Sequence, residues 1–267
     1  MTVIHLAPHT DPRWQRLIAD HPYSSVFHTP QWLRALADTY GFAPQAYVLA
    51  GDEAATPSAG IAFFEIDDVR GKRVVSIPFS DFCDPLVRDA AEWEALCAPL
   101  LAKNLPVVTR CLHNPIPLDD AQMPVYKRAK WHGIALDAPP DTLWAGFNPA
   151  VRRAIRKAEK AGVVVREAGH DDLRAFFEMH LHLRKYKYRL LAQPYAFFEN
   201  IWQQLIAPGQ GLLMVACADD RRIGYVMYLK WRDTLTYKFS VSAQDALAYR
   251  PTDLLIWEGV RYAHAQG

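Results

Sequence analysis

The densest set of candidate binding groups lies at residues 148–165, Asn-Pro-Ala-Val-Arg-Arg-Ala-Ile-Arg-Lys-Ala-Glu-Lys-Ala-Gly-Val-Val-Val. At about 100° per residue, Arg152, Arg153, Arg156, Lys157 and Lys160 fall on one side of a helix, and Val151, Ala154, Ile155, Ala158 and Ala161 on the other. A solvated surface face would look the same. Five cations against the single acid Glu159, however, leave self-repulsion largely uncompensated by i,i+4 pairs. A phosphate-bearing substrate or RNA would relieve it, and Arg156 and Lys157 are expected substrate contacts.

A second candidate, Arg184, sits on a helix that His170-Asp171-Asp172 should cap and that should run to about Tyr186. Leu173, Phe177 and His180 form its expected inward stripe; Arg184 falls on it, and Tyr188 continues it. A guanidinium there must pair, snorkel or line a cavity. As an anion clamp, its planar fork suits phosphate or carboxylate. The loop Ile77-Pro78-Phe79-Ser80-Asp81-Phe82-Cys83-Asp84-Pro85-Leu86 places two carboxylates among aromatic and proline residues. It reads either as a cradle for a substrate amine or, for Asp84 before Pro85, as turn chemistry. Along Tyr237-Lys238-Phe239-Ser240-Val241-Ser242, strand alternation puts Tyr237, Phe239 and Val241 on one face and Lys238, Ser240 and Ser242 on the other. This strand end is either a solvent face or a reaction floor, and Tyr237 and Lys238 are its expected catalytic groups.

Several chemistries lack their motifs. The chain has no G-x-S-x-G elbow, P-loop, dinucleotide G-x-G-x-x-G or H-E-x-x-H. His180 and His182 stand two apart on a helix and diverge, so no metal site is expected.

The elements that must position these groups follow one grammar twice. Residues 30–41 read as a helix with Pro30 near its start and Gly41 past its end. Strands at 46–50, 60–66 and 73–78 follow, with turns at Gly51-Asp52, Pro57-Ser58 and Asp67-Asp68 to Gly71, then a helix from about Asp89 to Lys103. In the second half Pro194 opens a helix through Leu205. Strands at 212–218, 222–231 and 235–241 come next, and Pro251 starts a last helix. Asn148 and Pro149 begin the cationic helix, Gly162 ends it, and Val163, Val164 and Val165 begin a buried strand. An α+β fold with helices on largely antiparallel sheets follows. The join belongs near residues 135–147, giving domains of 1–140 and 141–267.

At 267 residues the chain is long enough for one large domain or two ordinary ones. Hydrophobic residues at 51% and charged residues at 22% indicate a folded protein. A net charge of +1 makes the cationic helix a local feature and excludes a general nucleic-acid coat. Four scattered cysteines without a C-x-x-C pair, no signal peptide and no long apolar run point to a cytoplasmic protein.

Ser25-Val26-Phe27-His28-Thr29-Pro30-Gln31-Trp32, Ser76 to Asp81 with Asp84-Pro85-Leu86, Arg153 to Val163, Tyr237 to Ser240, and Arg250-Pro251-Thr252 through Trp257-Glu258-Gly259 occur in this order. On these segments the chain resembles the FemAB family, whose members attach amino acids to peptidoglycan precursors, and the wider group of GNAT-like proteins. The resemblance implies two tandem GNAT-like domains and attack of a substrate amine on an activated acyl carbonyl. No permanently bound cofactor is implied; aminoacyl-tRNA or acyl-CoA would be the co-substrate, and a phosphate-bearing small-molecule or lipid-linked precursor the acceptor. Arg184 and Tyr188 resemble the family's arginine–tyrosine pair that helps hold the nucleotide-linked acceptor. Asp84 falls in the acceptor-loop region and Tyr237 on the substrate-facing strand. Family members continue past the Trp257-Glu258 helix with a strand and a phenylalanine–lysine segment. Here the second domain is expected either to be truncated or to have lost that lysine. The long helical hairpin that some members use on tRNA is also absent.

Three functions follow: an acyl- or aminoacyltransferase on a cell-envelope precursor, an acetyl-CoA-dependent N-acetyltransferase, or a non-catalytic anion- or RNA-binding protein. The second normally needs a glycine-rich pyrophosphate loop between strand and helix, whereas Ser242–Thr252 contains no glycine.

Overall fold

In the computed structural model, residues 2–51 and 56–267 are described; the expected turn residue Asp52 lies outside them. The chain divides into two compact units, Met1–Lys130 and Trp131–Gly267. The division falls ahead of the Pro139-Pro140 pair, because Leu136 already belongs to the second unit. Leu136 packs against that unit's core, and its carbonyl accepts a hydrogen bond from His264 Nδ1 at 2.9 Å.

The first unit runs β1 (Thr2–Leu6), α1 (Pro12–Asp20), α2 (Pro30–Tyr40), β2 (Pro44–Ala50), β3 (Ala59–Asp68), β4 (Gly71–Val75), α3 (Ala90–Leu101) and β5 (Val107–Val108). Its sheet has the order β1-β2-β3-β4-β5, antiparallel except for the β4–β5 pair. Thr29 caps α2 through Trp32 N–H, and Asp11 caps α1 through Arg13 N–H at 2.9 Å. Trp93, Leu96 and Leu100 of α3 pack on Leu49, Ile61 and Phe63 of the sheet.

The second unit runs α4 (Pro140–Gly146), α5 (Pro149–Lys160), β6 (Val164–Glu167), α6 (Leu173–His182), α7 (Tyr195–Ile201), β7 (Gly211–Ala218), β8 (Arg221–Trp231), β9 (Thr234–Ser242) and α8 (Pro251–Ala265). The sheet β6-β7-β8-β9 is antiparallel throughout. On one face Leu212, Met214, Val226 and Tyr228 meet Ile155 and Ala158 of α5 and Leu254, Leu255 and Val260 of α8. On the other, Tyr225 and Phe239 meet Phe176 of α6 and Phe197 and Phe198 of α7. The helix–meander–helix grammar therefore holds in both units. Each meander gains one further strand on its first edge, β1 on β2 and β6 on β7.

Asn148 caps α5, accepting from Ala150 N–H at 2.9 Å, and Gly162 closes it in the left-handed region at φ 74°. The strand that follows is less buried than its valines suggest. Val163 is enclosed, but the paired residue Val164 is exposed, since β6 is an edge strand covered on one face only.

Within the core of this unit the backbone approaches closely at Gly259 of α8, where a Cβ would overlap the phenol of the buried Tyr228, whose hydroxyl donates to Leu255 O at 3.1 Å. Gly259→Ala should therefore cost ~1–3 kcal/mol and lower the thermal midpoint by about 2–4 °C per kcal/mol. Gly146→Ala, whose Cβ meets nothing within 4 Å, should leave the midpoint in place. Equal midpoints for the two variants would refute close packing of α8 on Tyr228.

Candidate functional site

The α6 helix is held at its start by charge. Asp172 ends a 3-10 turn and accepts from Arg166 Nη1 of β6 at 3.0 Å, from Arg222 Nε of β8, and from Gly169 N–H at 3.2 Å. Burial pushes the Asp172 carboxyl up, but the hydrogen bonds from the two arginines outweigh it and hold the pKa below the ordinary carboxylate value. The inward stripe of α6 is Leu173, Phe176 and His180; Phe177 is only half-buried, against Tyr195 and Phe198. The Phe176-Phe177 pair allowed either phase, and the one observed seats Phe176 on Phe198 and Tyr225. Burial lowers the pKa of His180, against the raising effect of its 2.9 Å bond to Gln193 Oε1, so the ring is neutral within an aromatic cluster.

Beyond His182 the helix does not continue in α geometry to Tyr186 as expected. Leu183–Tyr188 form a π turn, a conformation that adds a residue to the turn and re-aims the side chains after it. Arg189, at φ 53°, stops it in the left-handed region. Arg184 is half-buried and makes no ion pair among the described residues. Its Nη2 and Nε donate to Leu191 O at 3.1 and 3.3 Å, and its Nη1 has no partner among the described residues.

The floor of the site is β9, and here strand alternation fails. Opposite β8, Tyr228 pairs with Tyr237 but Met227 pairs with Phe239, so Lys238 is one residue too many. Phe239 turns into the aromatic cluster of His180, Phe197 and Phe198. Tyr237 instead lies against Tyr228, ring centroids 5.9 Å apart, on the α8 face. Ser240 and Ser242, opposite Val226 and Gly224, share that face, and Ser242 Oγ is 2.8 Å from Thr252 Oγ1 at the start of α8. Tyr237 and Phe239 are thus on opposite faces of the sheet, contrary to the alternation. Lys238 is half-buried, its Nζ 5.0 Å from the Phe239 ring centroid.

Burial pushes the Tyr237 phenol above its ordinary pKa, a hydrogen bond with Ser240 opposes this, and nearby Tyr188 adds to the rise. At neutral pH Tyr237 is a hydrogen-bond donor with 41% of its surface open to solvent. Tyr188 thus stands within electrostatic range of Tyr237, with Arg184 one turn before Tyr188. Tyr228, Ser240 and Thr252 join this surface without having been singled out from the sequence. Tyr228 was legible: counting outward from a two-residue Arg232-Asp233 hairpin turn places it opposite Tyr237.

Arg156 and Lys157 are exposed on α5, with the Arg156 guanidinium 5.6 Å from the Trp144 ring centroid. No hydrogen bond or ring contact joins either to Arg184, Tyr188 or Tyr237 among the described residues. Asp84 belongs to the first unit and is 1% exposed. Its Oδ1 accepts from the backbone N–H groups of Leu112 at 2.7 Å, His113 at 3.0 Å and Asn114 at 2.9 Å, and its carbonyl is 3.0 Å from Nε2 of the buried His28. Asp84 binds its own backbone, tying the loop at 77–86 to residues 110–114. Among the described residues no three His, Cys, Asp or Glu side chains are grouped to hold a metal ion.

Residues 147–267 match the acetyltransferase (GNAT) domain family, so the second unit is a GNAT domain. The whole chain has the fold of FemX: its crystal structure aligns with a TM-score of 0.73 at 13% identity, covering 100% of this chain and 87% of that one. The C-terminal DUF2156 domain assigned to a lysylphosphatidylglycerol synthetase of Agrobacterium fabrum aligns with a TM-score of 0.50 at 10% identity, covering 96% and 76%. No curated protein sequence matches the chain significantly. The FemAB-type, GNAT-like α+β architecture expected from the motifs is the observed one.

Because Asp172 has a lower pKa folded than unfolded, its stabilising effect is complete above pH 3.8 and is lost as pH falls through the folded value. Asp172→Asn should cost on the order of 1–2 kcal/mol at pH 7, the arginines being half-exposed. It should also flatten the decline in stability as pH falls below 3.8. Urea midpoints across that range test this; parallel acid limbs for the two proteins would rule it out.

Proposed function

We propose that the chain is an acyltransferase of FemAB type, moving an acyl or aminoacyl group onto an amine or hydroxyl of a cell-envelope precursor. The observation that carries this reading is a half-buried Arg184 in the π turn of a GNAT domain, four residues before Tyr188, which stands within electrostatic range of the Tyr237 phenol beside the β-bulge. In this reading the acceptor's lone pair attacks the donor carbonyl, the donor's ester or thioester bond breaks, and the acceptor's proton leaves with the departing group or to water. Tyr237, held as a neutral phenol, donates to the developing oxyanion. Arg184 and Tyr188 bind a phosphate of the acceptor through charge-assisted hydrogen bonds. Lys238, the bulged residue, sets where Tyr237 points and supplies positive charge beside it. Arg156 and Lys157 extend the attraction for a polyanionic substrate, and Asp84 positions the loop of the first unit.

The resemblance to a lysylphosphatidylglycerol synthetase domain supports a phosphate-bearing lipid as well as a nucleotide-linked acceptor. No described helix is long and apolar enough to cross a membrane, which fits action on such acceptors from the cytoplasmic side.

A CoA thioester is the weaker donor on physical grounds. Residues 244–249 form a 3-10 turn, Arg250 is left-handed at φ 58°, and Pro251 removes one N–H from the start of α8. Asp253, paired with Arg250 at 3.0 Å, then sets a carboxylate where a pyrophosphate would need donors.

Calorimetry with a UDP-linked muropeptide, followed by transfer assays with aminoacyl-tRNA or acyl-CoA, tests the assignment. Arg184→Ala should weaken acceptor binding by about tenfold or more, the loss of a charged hydrogen bond. Tyr237→Phe should leave binding intact and reduce kcat by about 10²–10³. Unchanged binding in folded Arg184→Ala, or full kcat in Tyr237→Phe, would defeat the proposed roles.

A further inference from the structure

From Met179 to Phe198 the chain has no Asp or Glu, while Arg184, Lys185, Lys187 and Arg189 fall within six consecutive positions. The π turn and the left-handed Arg189 fold this stretch into a defined knuckle. Arg184 O accepts from both Arg189 and Leu190 N–H, and the Arg184 side chain clasps Leu191 O. What the knuckle presents outward is unusual for a water-facing surface. Leu190 is 53% and Leu191 93% exposed, and the rings of Tyr186 and Tyr188 on the same segment are exposed as well. Lys185 and Lys187 stand against those rings at 5.1 and 5.6 Å and make no ion pair among the described residues.

Ordering two adjacent leucines in water gains nothing, because the turn is held by backbone bonds that do not need them. Cations, tyrosines and bare leucines on one short segment match the layered chemistry of a bilayer surface. Phosphates lie outermost there, a polar–apolar boundary suited to tyrosine comes next, and acyl chains lie beneath. RNA would be served by the cations and tyrosines but offers nothing to Leu191.

We infer that residues 185–191 dock the protein on an anionic lipid bilayer. Leu190 and Leu191 enter the boundary of the acyl chains, and Lys185, Lys187 and Arg189 lie against headgroup phosphates. This concerns where the protein works and does not rest on the transfer reaction proposed above.

Sedimentation of the full chain with vesicles tests it, comparing phosphatidylcholine alone with phosphatidylcholine mixed with phosphatidylglycerol. The protein should partition onto the mixed vesicles and release as salt rises. The L190S/L191S pair should lower the partition coefficient by about tenfold or more. The K185Q/K187Q pair should lower it by about fivefold per charge, on anionic vesicles only. Both pairs lie on the exposed rim and should keep the wild-type thermal midpoint, separating docking from folding. Absence of vesicle binding, or binding that neither pair alters, would overturn the inference. Capture of a single-stranded RNA oligonucleotide without vesicle binding would overturn it too and assign the knuckle to RNA.

Discussion

Between Tyr237 and Phe239, β9 carries a residue for which β8 has no counterpart, and the two aromatic side chains leave the sheet on opposite sides. Each has a strong reason to stay where it is. Phe239 fills a cluster with His180, Phe197 and Phe198, and Tyr237 lies on Tyr228, which α8 pins by a hydrogen bond to Leu255 and by the absence of a side chain at Gly259. Deleting the bulge would shift every residue on one side of it to the opposite face. Either Phe239 would reach solvent or Tyr237 would leave the surface it shares with Ser240, Ser242 and Thr252. The bulge is the one place where both demands are met.

The same device recurs in the helix that faces this strand. A π turn, like a bulge, is one residue inserted into a regular ladder, and both re-aim the side chains beyond the insertion. In α6 the insertion follows His182. Upstream the helix is fixed by Asp172 between two arginines and by the buried stripe of Leu173, Phe176 and His180. Downstream the π turn brings Tyr188 within electrostatic reach of Tyr237 and leaves Arg184 half-open. Two one-residue insertions on rigid elements thus converge on one pair of tyrosines. The rigid parts are anchored by burial and charge, and the irregular parts carry the exposed polar groups.

This division explains what could be read from the chain. Elements with end signals were legible: Pro30 and Gly41 for α2, and Asn148-Pro149 with Gly162 for α5. The meanders were legible from turn residues, and the GNAT-like architecture from the order of the motifs. β1 escaped because a five-residue edge strand carries too little periodicity, whereas α1 was legible and overlooked: Asp11-Pro12 open it and Trp14, Leu17 and Ile18 form its buried stripe. The bulge was hidden for a different reason. Tyr237-Lys238-Phe239-Ser240-Val241-Ser242 alternates without a flaw, and only the pairing with β8 and the space beside Phe198 reveal the slip. The phase of α6 was ambiguous because Phe176 and Phe177 are adjacent, and Asp84's three backbone partners lie about thirty positions downstream.

The cationic face of α5 shows how a chain keeps charges unpaired. Like charges at i,i+3 and i,i+4 cost roughly 0.2–0.5 kcal/mol per pair, and none of Arg152, Arg153, Arg156, Lys157 or Lys160 forms an ion pair among the described residues. The helix is held from the other side. Ile155 and Ala158 are buried in the same core as Leu254 and Leu255 of α8, which contributes more than the repulsion removes. Lys157 and Lys160 lie in the last turn, where the helix dipole favours positive charge, and Asn148 satisfies the first. Because burial and capping hold the helix, its outer face needs no acidic partners within the fold. The charges are left available to an external anion, a state that internal salt bridges would have cancelled.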